Sequence, residues 1–261
     1  MKERLLPPGA RYQKQRPLGF LVGLACFFLL WQLGAVLTGS DIILPGPFPV
    51  VKKLILLLNT ERFLRALVSS TLRLLLGLAI SVPLGMLAGI VSALDKQAAA
   101  FLRPFFSVIA ATPVMSVILI AFLAFGSEKT PVFTAFLMVF PVIAANTMAG
   151  VKAVDPKLTE LFKVYCICGF EKLRYLHIPS MLPYLAAGLH SGLSLGWKVI
   201  VAAEVLVQPL SALGTGMQMA KAQLETPELF AWTAATVIAA ALSDILLDIF
   251  SLLMTRKRIS L

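Results

Sequence analysis

Six ionisable side chains stand inside long apolar stretches of this 261-residue sequence: Arg73, His190, Lys198, Glu204, Asp244 and Asp248. At bilayer depth a charge costs about 2.5–3.5 kcal/mol on insertion scales, so each needs a partner or a task. Lys198 and Glu204 are six positions apart. That is roughly 600° around a helix, so they point to different faces and do not pair directly. Lys198 either faces a polar pathway, where its charge would favour an anion, or pairs with a carboxylate on a neighbouring helix; spacing leaves both open. Glu204, near one end of its stretch, suits a gate or a packing role. Asp244 and Asp248 share one helix face. Arg73 or Lys198 could meet them, and a structural ion pair is preferred to a proton relay because buried charges seek partners. His190 lies within Gly188, Gly192 and Gly196, a G-x-x-x-G-x-x-x-G run. Such a run lets another helix approach closely, as a contact between copies or as a pathway wall. His190 reads as a hydrogen-bonded packing residue ahead of a ligand.

Other chemistry is missing. No G-x-x-x-x-G-K-[ST] phosphate loop, H-E-x-x-H or G-x-S-x-G occurs, so the chain is expected neither to hold a nucleotide in that way nor to act as an enzyme. The three cysteines, Cys26, Cys166 and Cys168, are too few for a disulfide framework, and one C-x-C pair makes a weak metal site.

The elements that must position these residues follow from composition. The sequence is 59% hydrophobic and 14% charged, with a mean hydropathy of +0.89. Soluble domains run near ~45–50% apolar and ~25% charged, so the expected class is an all-α membrane protein forming one domain over residues 1–261. Six spans are expected, near 18–38, 70–94, 104–126, 131–151, 181–207 and 230–254. The first is too long, and lacks a cleavage site, to be a signal peptide. A net charge of +10 fits basic loops better than nucleic acid, because no polar stretch interleaves aromatic with basic residues. Placing both ends on one side puts fifteen basic residues there against six on the other, which predicts two cytoplasmic termini. On the outer side, 50–56, within the connection 41–67, is expected to form a short helix along the surface.

The informative connection is 152–180. Asp155-Pro156 can open a helix, Asp as cap and Pro in the first turn. Leu158, Leu161, Phe162 and Tyr165 then follow at i, i+3, i+4 and i+7, an apolar stripe. A second short helix is expected over 170–176, ended by Pro179 and Pro183. A solvated loop has no need of such a stripe, which suits a knob docking into a groove on another protein.

Glu160-Leu161-Phe162, three residues, Cys166, nine residues and Leu176-His177-Ile178-Pro179 resembles the EAA loop of ABC importer permeases, E-A-A-x3-G-x9-I-x-L-P. Glu160 and Pro179 match in register. Leu161 and Phe162 stand where that motif has alanines, Cys166 where it has glycine, Leu176 and Ile178 where it has Ile and Leu; Gly169 comes three positions late. Leu44-Pro45-Gly46-Pro47, Leu102-Arg103-Pro104, Asn146 to Val151 and Trp197 to Glu204 resemble the nitrate/sulfonate/taurine branch. The resemblance implies a permease in a bacterial plasma membrane for a small solute, an organic or inorganic anion such as nitrate, a sulfonate or taurine, or else a vitamin or pyrimidine precursor. Its partners would be a second permease copy or paralogue, two ATPase subunits that carry ATP and Mg, an extracytoplasmic substrate-binding protein, and membrane lipid. Leu158, Glu160, Leu161, Phe162, Tyr165, Cys166, Gly169, Ile178 and Pro179 would then couple to the ATPase. Lys198, Glu204, His190 and Asn146 are candidates for the pathway. An ion-coupled carrier using Asp244, Asp248 and Glu204, or a non-transporting scaffold, are the rival readings.

Overall fold

A computed structural model describes residues 17–167 and 169–259; the basic residues 2–16 and Cys168 lie outside them. The described residues are helical, without strands. In order they form α1 (Pro17–Thr38), α2 (Pro47–Leu58), α3 (Glu61–Leu94), α4 (Lys96–Ala111), α5 (Val114–Lys152), α6 (Pro156–Val164), α7 (Gly169–Lys172), a π turn (Leu173–His177), α8 (Ile178–Val207), α9 (Leu213–Ala222) and α10 (Thr226–Ile259). Among the described residues, five helices are long and apolar enough to cross a membrane.

The stretch read as the third span, 104–126, is divided between α4 and the start of α5. Thr112 adopts an extended ψ of 126° before Pro113. A proline disfavours helical backbone in the residue before it and offers no N–H, so α4 stops there. The second break is Gly126, at φ 72° and ψ −179°, inside what is otherwise continuous α5. Only glycine visits that region readily, and it separates the 114–125 segment from 127–152.

The expected restart at Pro179 takes another form. The chain runs from α7 through the π turn straight into α8, with the Ile178 N–H reaching back to the Leu173 carbonyl. Pro179 falls in the first turn of α8, directly after the π turn, and has no N–H to return to that preceding turn.

The rear part of α5 packs against both α3 and α8, through closely approaching glycines. A Cβ on Gly188 would stand 2.9 Å from Asn146 Cβ, one on Gly192 2.9 Å from Val139, and one on Gly196 2.6 Å from Leu74. The G-x-x-x-G-x-x-x-G face is therefore spent on α5 and α3 of the same chain, neither on a second copy nor on a pathway. Gly85 and Gly89 of α3 meet α5 in the same manner, and a Cβ on Gly89 would lie 2.6 Å from the Ala144 carbonyl oxygen. With no hydrophobic drive between helices in lipid, such backbone proximity supplies the packing that holds the bundle.

At one end the core is aromatic. Phe63 and Trp232 have ring centroids 5.3 Å apart, and both are buried with Trp197, Leu213 and Ile200. The surface helix expected over 50–56 is α2, longer at both ends than that stretch, opened by Pro47 and pinned to the start of α10 by Lys53 Nζ, 2.9 Å from Glu225. By contrast α1 lies at the periphery, held where Trp31 stacks on Phe230 and donates to the Pro45 carbonyl.

Candidate functional site

Three places in the bundle bear on function. The first is an ion network where α3, α5 and α8 converge. Glu204, with 0% of its side chain exposed, accepts from Ser70 Oγ at 2.8 Å, from Arg73 at 3.0 Å and from the Gly214 N–H at 3.2 Å. Arg73 also donates to Glu128 at 2.6 Å and to the Ser211 carbonyl at 2.9 Å, while the Leu210 N–H donates to Glu128 at 3.0 Å. A guanidinium forks between two carboxylates here, and every buried polar atom of Glu204 finds a donor. The network ties the turn after α8, where Gln208 is left-handed at φ 47°, to the interior.

One expectation changes on this geometry. Arg73 does not meet Asp244 or Asp248, because α8 and α5 bring Glu204 and Glu128 to it instead. Glu204 is sealed among Ser70, Arg73 and the Gly214 N–H, in keeping with the packing role left open for it. Glu128 and Ser70 were missed from sequence, since Glu128-Lys129 between two apolar runs has the look of a connection and one serine in an apolar helix carries no signal.

Asp244 and Asp248 instead face His190. Asp244 lies 3.7 Å from His190 Nδ1, and Asp248 3.1 Å from Nε2. The histidine thus stands between α8 and α10. Asn146 is half-buried against Gly188 and returns its amide to the Val142 carbonyl.

The second place is the unburied stripe of α8. On α3 and α10 the exposed positions are large and apolar, for example Leu72, Leu76, Ile245 and Leu246, as lipid contact requires. The exposed positions of α8 include Ala187, Ser191 and Lys198, with half-buried Ser194 between them. Among the described residues Lys198 has no carboxylate within ion-pairing distance, so pairing within the chain does not account for it. A lysine on a stripe of serine and alanine suits water or protein better than lipid.

The third place is α6, which buries none of its residues. Asp155 caps it by accepting from the Lys157 N–H at 2.9 Å, with Pro156 in the first turn. Leu161 is 48% exposed, Leu158 and Tyr165 are similarly open, and Phe162 is half-buried. Glu160 is exposed, and Ile178 and Pro179 lie half-buried at the root of α8. The helix closes in a Schellman motif: the Ile167 N–H bonds the Phe162 carbonyl, the Cys166 N–H that of Lys163, and Cys166 takes φ 55°. This left-handed position is the one where the resembling motif carries glycine, and Gly169 is left-handed too, at φ 62°. Cys166→Gly is therefore expected to keep the helix intact and to raise or leave unchanged the melting temperature, whereas Cys166→Val lowers it. A thermal melt of the pair checks the order.

A multi-pass helical bundle with an exposed polar stripe and one short apolar helix standing clear of it defines a membrane permease. The same fold occurs in a solved bacterial ABC transporter that imports the acidic polysaccharide alginate, with a TM-score of 0.63 at 14% identity, covering 92% of this chain and 94% of that one. In sequence the chain is 27% identical over 221 residues to the taurine transport system permease protein TauC of Escherichia coli, covering 82% of this chain and 80% of that protein. It is 28% identical over 201 residues to the nitrate import permease protein NrtB of Synechococcus elongatus, covering 72% and 71%. Residues 81–260 match the family model of the binding-protein-dependent transport system inner membrane component, and the chain belongs to that family. It is an ABC transporter permease of the nitrate/sulfonate/taurine branch, a multi-pass inner-membrane protein of a transport family rather than an enzyme.

Proposed function

We propose that this chain is the membrane subunit of an ATP-driven importer. It would take a small oxyanion or sulfonate from an extracytoplasmic binding protein and pass it along the Ser191–Lys198 stripe of α8. The observation that carries the reading is α6, a capped helix with an apolar stripe that its own bundle leaves uncovered. Exposed apolar patches of this kind mark contacts with partners, and here the partner is a cytoplasmic ATPase subunit that carries ATP and Mg. Both termini lie in the cytoplasm with α6, in keeping with the basic bias of that side. A second permease copy or paralogue completes the pathway, since Lys198 and its neighbouring serines need cover from lipid. Closure of the ATPases would push α6 as a body, and α7 with the π turn would carry the push into α8, a shear between packed helices.

The substrate class rests on Lys198, whose charge attracts an anion, and on relatives named for taurine and nitrate. Uptake of labelled taurine and nitrate into proteoliposomes holding the permease and its ATPase tests this. Uptake is expected with ATP and magnesium and not with a proton gradient alone. Uptake driven by the gradient without the ATPase would overturn the proposal in favour of an ion-coupled carrier.

A further inference from the structure

A cavity of about 500 Å³ opens between α4 and the rear part of α5, on the side of the bundle where Lys152 leads into α6. Its mouth is basic. Arg103 of α4 and Lys152 of α5 both line it, no acidic residue does, and among the described residues neither has a carboxylate within ion-pairing distance. Inside stands Ser92, 4% exposed, whose hydroxyl has no hydrogen-bond partner. A buried hydroxyl without a partner is uncommon in a folded protein and asks for a ligand atom. The rest of the walls are largely apolar, with Phe106 and Ala110 on α4 and Met148, Ala145 and Pro141 on α5.

The depth of the groove says what fits. From Lys152 to Pro141 is eleven residues, about 16 Å at roughly 1.5 Å of rise each. One leaflet of hydrocarbon is about 15 Å, half of a core of about 30 Å. Along α5 the groove therefore spans about one leaflet, with Lys152 at its α6 end and apolar walls between there and Pro141. Among the described residues α4 has no fully buried residue, so its groove side stays open. Basic pockets between helices at the cytoplasmic boundary are suited to anionic headgroups.

We propose that Arg103, Lys152 and Ser92 bind the phosphate of an anionic phospholipid whose acyl chain lies between α4 and α5. This assignment rests on α6 marking the cytoplasmic side and on no other part of the transport reading. The test uses the full chain purified in mild detergent. Native mass spectrometry and thermal melts are run with phosphatidylglycerol, phosphatidylcholine or inorganic phosphate added. Phosphatidylglycerol is expected to be retained and to raise the melting temperature, while phosphatidylcholine and phosphate at equal concentration do neither. Arg103→Ala/Lys152→Ala is expected to weaken retention about thirtyfold, from roughly 1 kcal/mol for each basic contact at the membrane surface. Ala145→Phe, which fills the groove and leaves both charges, is expected to weaken it as well, and serves if the double variant does not fold. Lys157→Ala/Lys163→Ala on α6 should leave it unchanged.

Equal retention of phosphatidylcholine, or no loss in either groove variant, would overturn the proposal. Protection by inorganic phosphate alone would assign the site to a free anion. Loss of self-association with lipid retention unchanged would make the groove a contact between copies. Each of these last two results also refutes a lipid site. ATP-driven uptake is scored separately, so failure of the lipid site and failure of the transport reading give different results.

Discussion

Leu158→Asp/Leu161→Asp is expected to abolish binding of the ATPase subunit and to cut ATP-driven uptake at least a hundredfold, while the chain melts at its wild-type temperature. Both leucines are about half exposed, and α6 buries nothing of its own bundle, so the fold loses little when they become charged. In a docked complex the same side chains would sit in a groove, and truncating such anchors typically costs 2 kcal/mol or more apiece. Two of them make a loss of about 4 kcal/mol, a factor near a thousand in affinity. Lys163→Ala, on the opposite face of the helix, is the control and should change uptake less than threefold. Co-purification of the ATPase with each variant, alongside an uptake assay, reads the difference. If the double variant still captures the ATPase and transports normally, α6 is not the coupling element.

Arg73→Met is expected to be the most destabilising single substitution in the membrane core, by about 3–5 kcal/mol. Glu204 has no exposure, and losing Arg73 leaves its carboxylate with Ser70 and a backbone N–H as the remaining donors. An uncompensated buried charge is the expensive state, and removing both charges avoids it. Arg73→Met/Glu204→Met is therefore expected to recover at least half of the loss, even though Glu128 then keeps only the Leu210 N–H. Arg73→Lys should not rescue, because an ammonium cannot fork to Glu204 and Glu128 as the guanidinium does. For a chain of this size the single variant lowers the melting temperature by roughly 10 °C. A thermal double-mutant cycle in detergent measures the coupling, and additive losses would show that the two residues do not stabilise one another.

Much of the architecture was readable because hydrocarbon is a severe solvent. A backbone in lipid must satisfy its own hydrogen bonds, so long uncharged runs had to be helices, and α1, α3, α8 and α10 lie where those runs predict. The free-standing α6 was readable for a local reason: Asp155, Pro156 and four apolar side chains at helical spacing need nothing beyond nine residues of context. The third span was misjudged in form. Apolar content continues through Pro113 and Gly126, and composition does not register that one stops a helix and the other redirects it.

The amino-acid order alone decided that this is a helical membrane protein, that ionisable groups lie at bilayer depth, and that a short apolar helix interrupts the chain between two long ones. Which groups meet was decided by packing. Glycine spacing marks a face and leaves open that Gly188, Gly192 and Gly196 rest on α5 and α3; a lone Arg73 announces a partner and leaves open whether it is Glu204 or Asp244. Periodicity orients a side chain around its own helix axis, whereas the neighbour it finds depends on how separate helices cross, and that is settled by contacts more than a hundred residues apart in the chain.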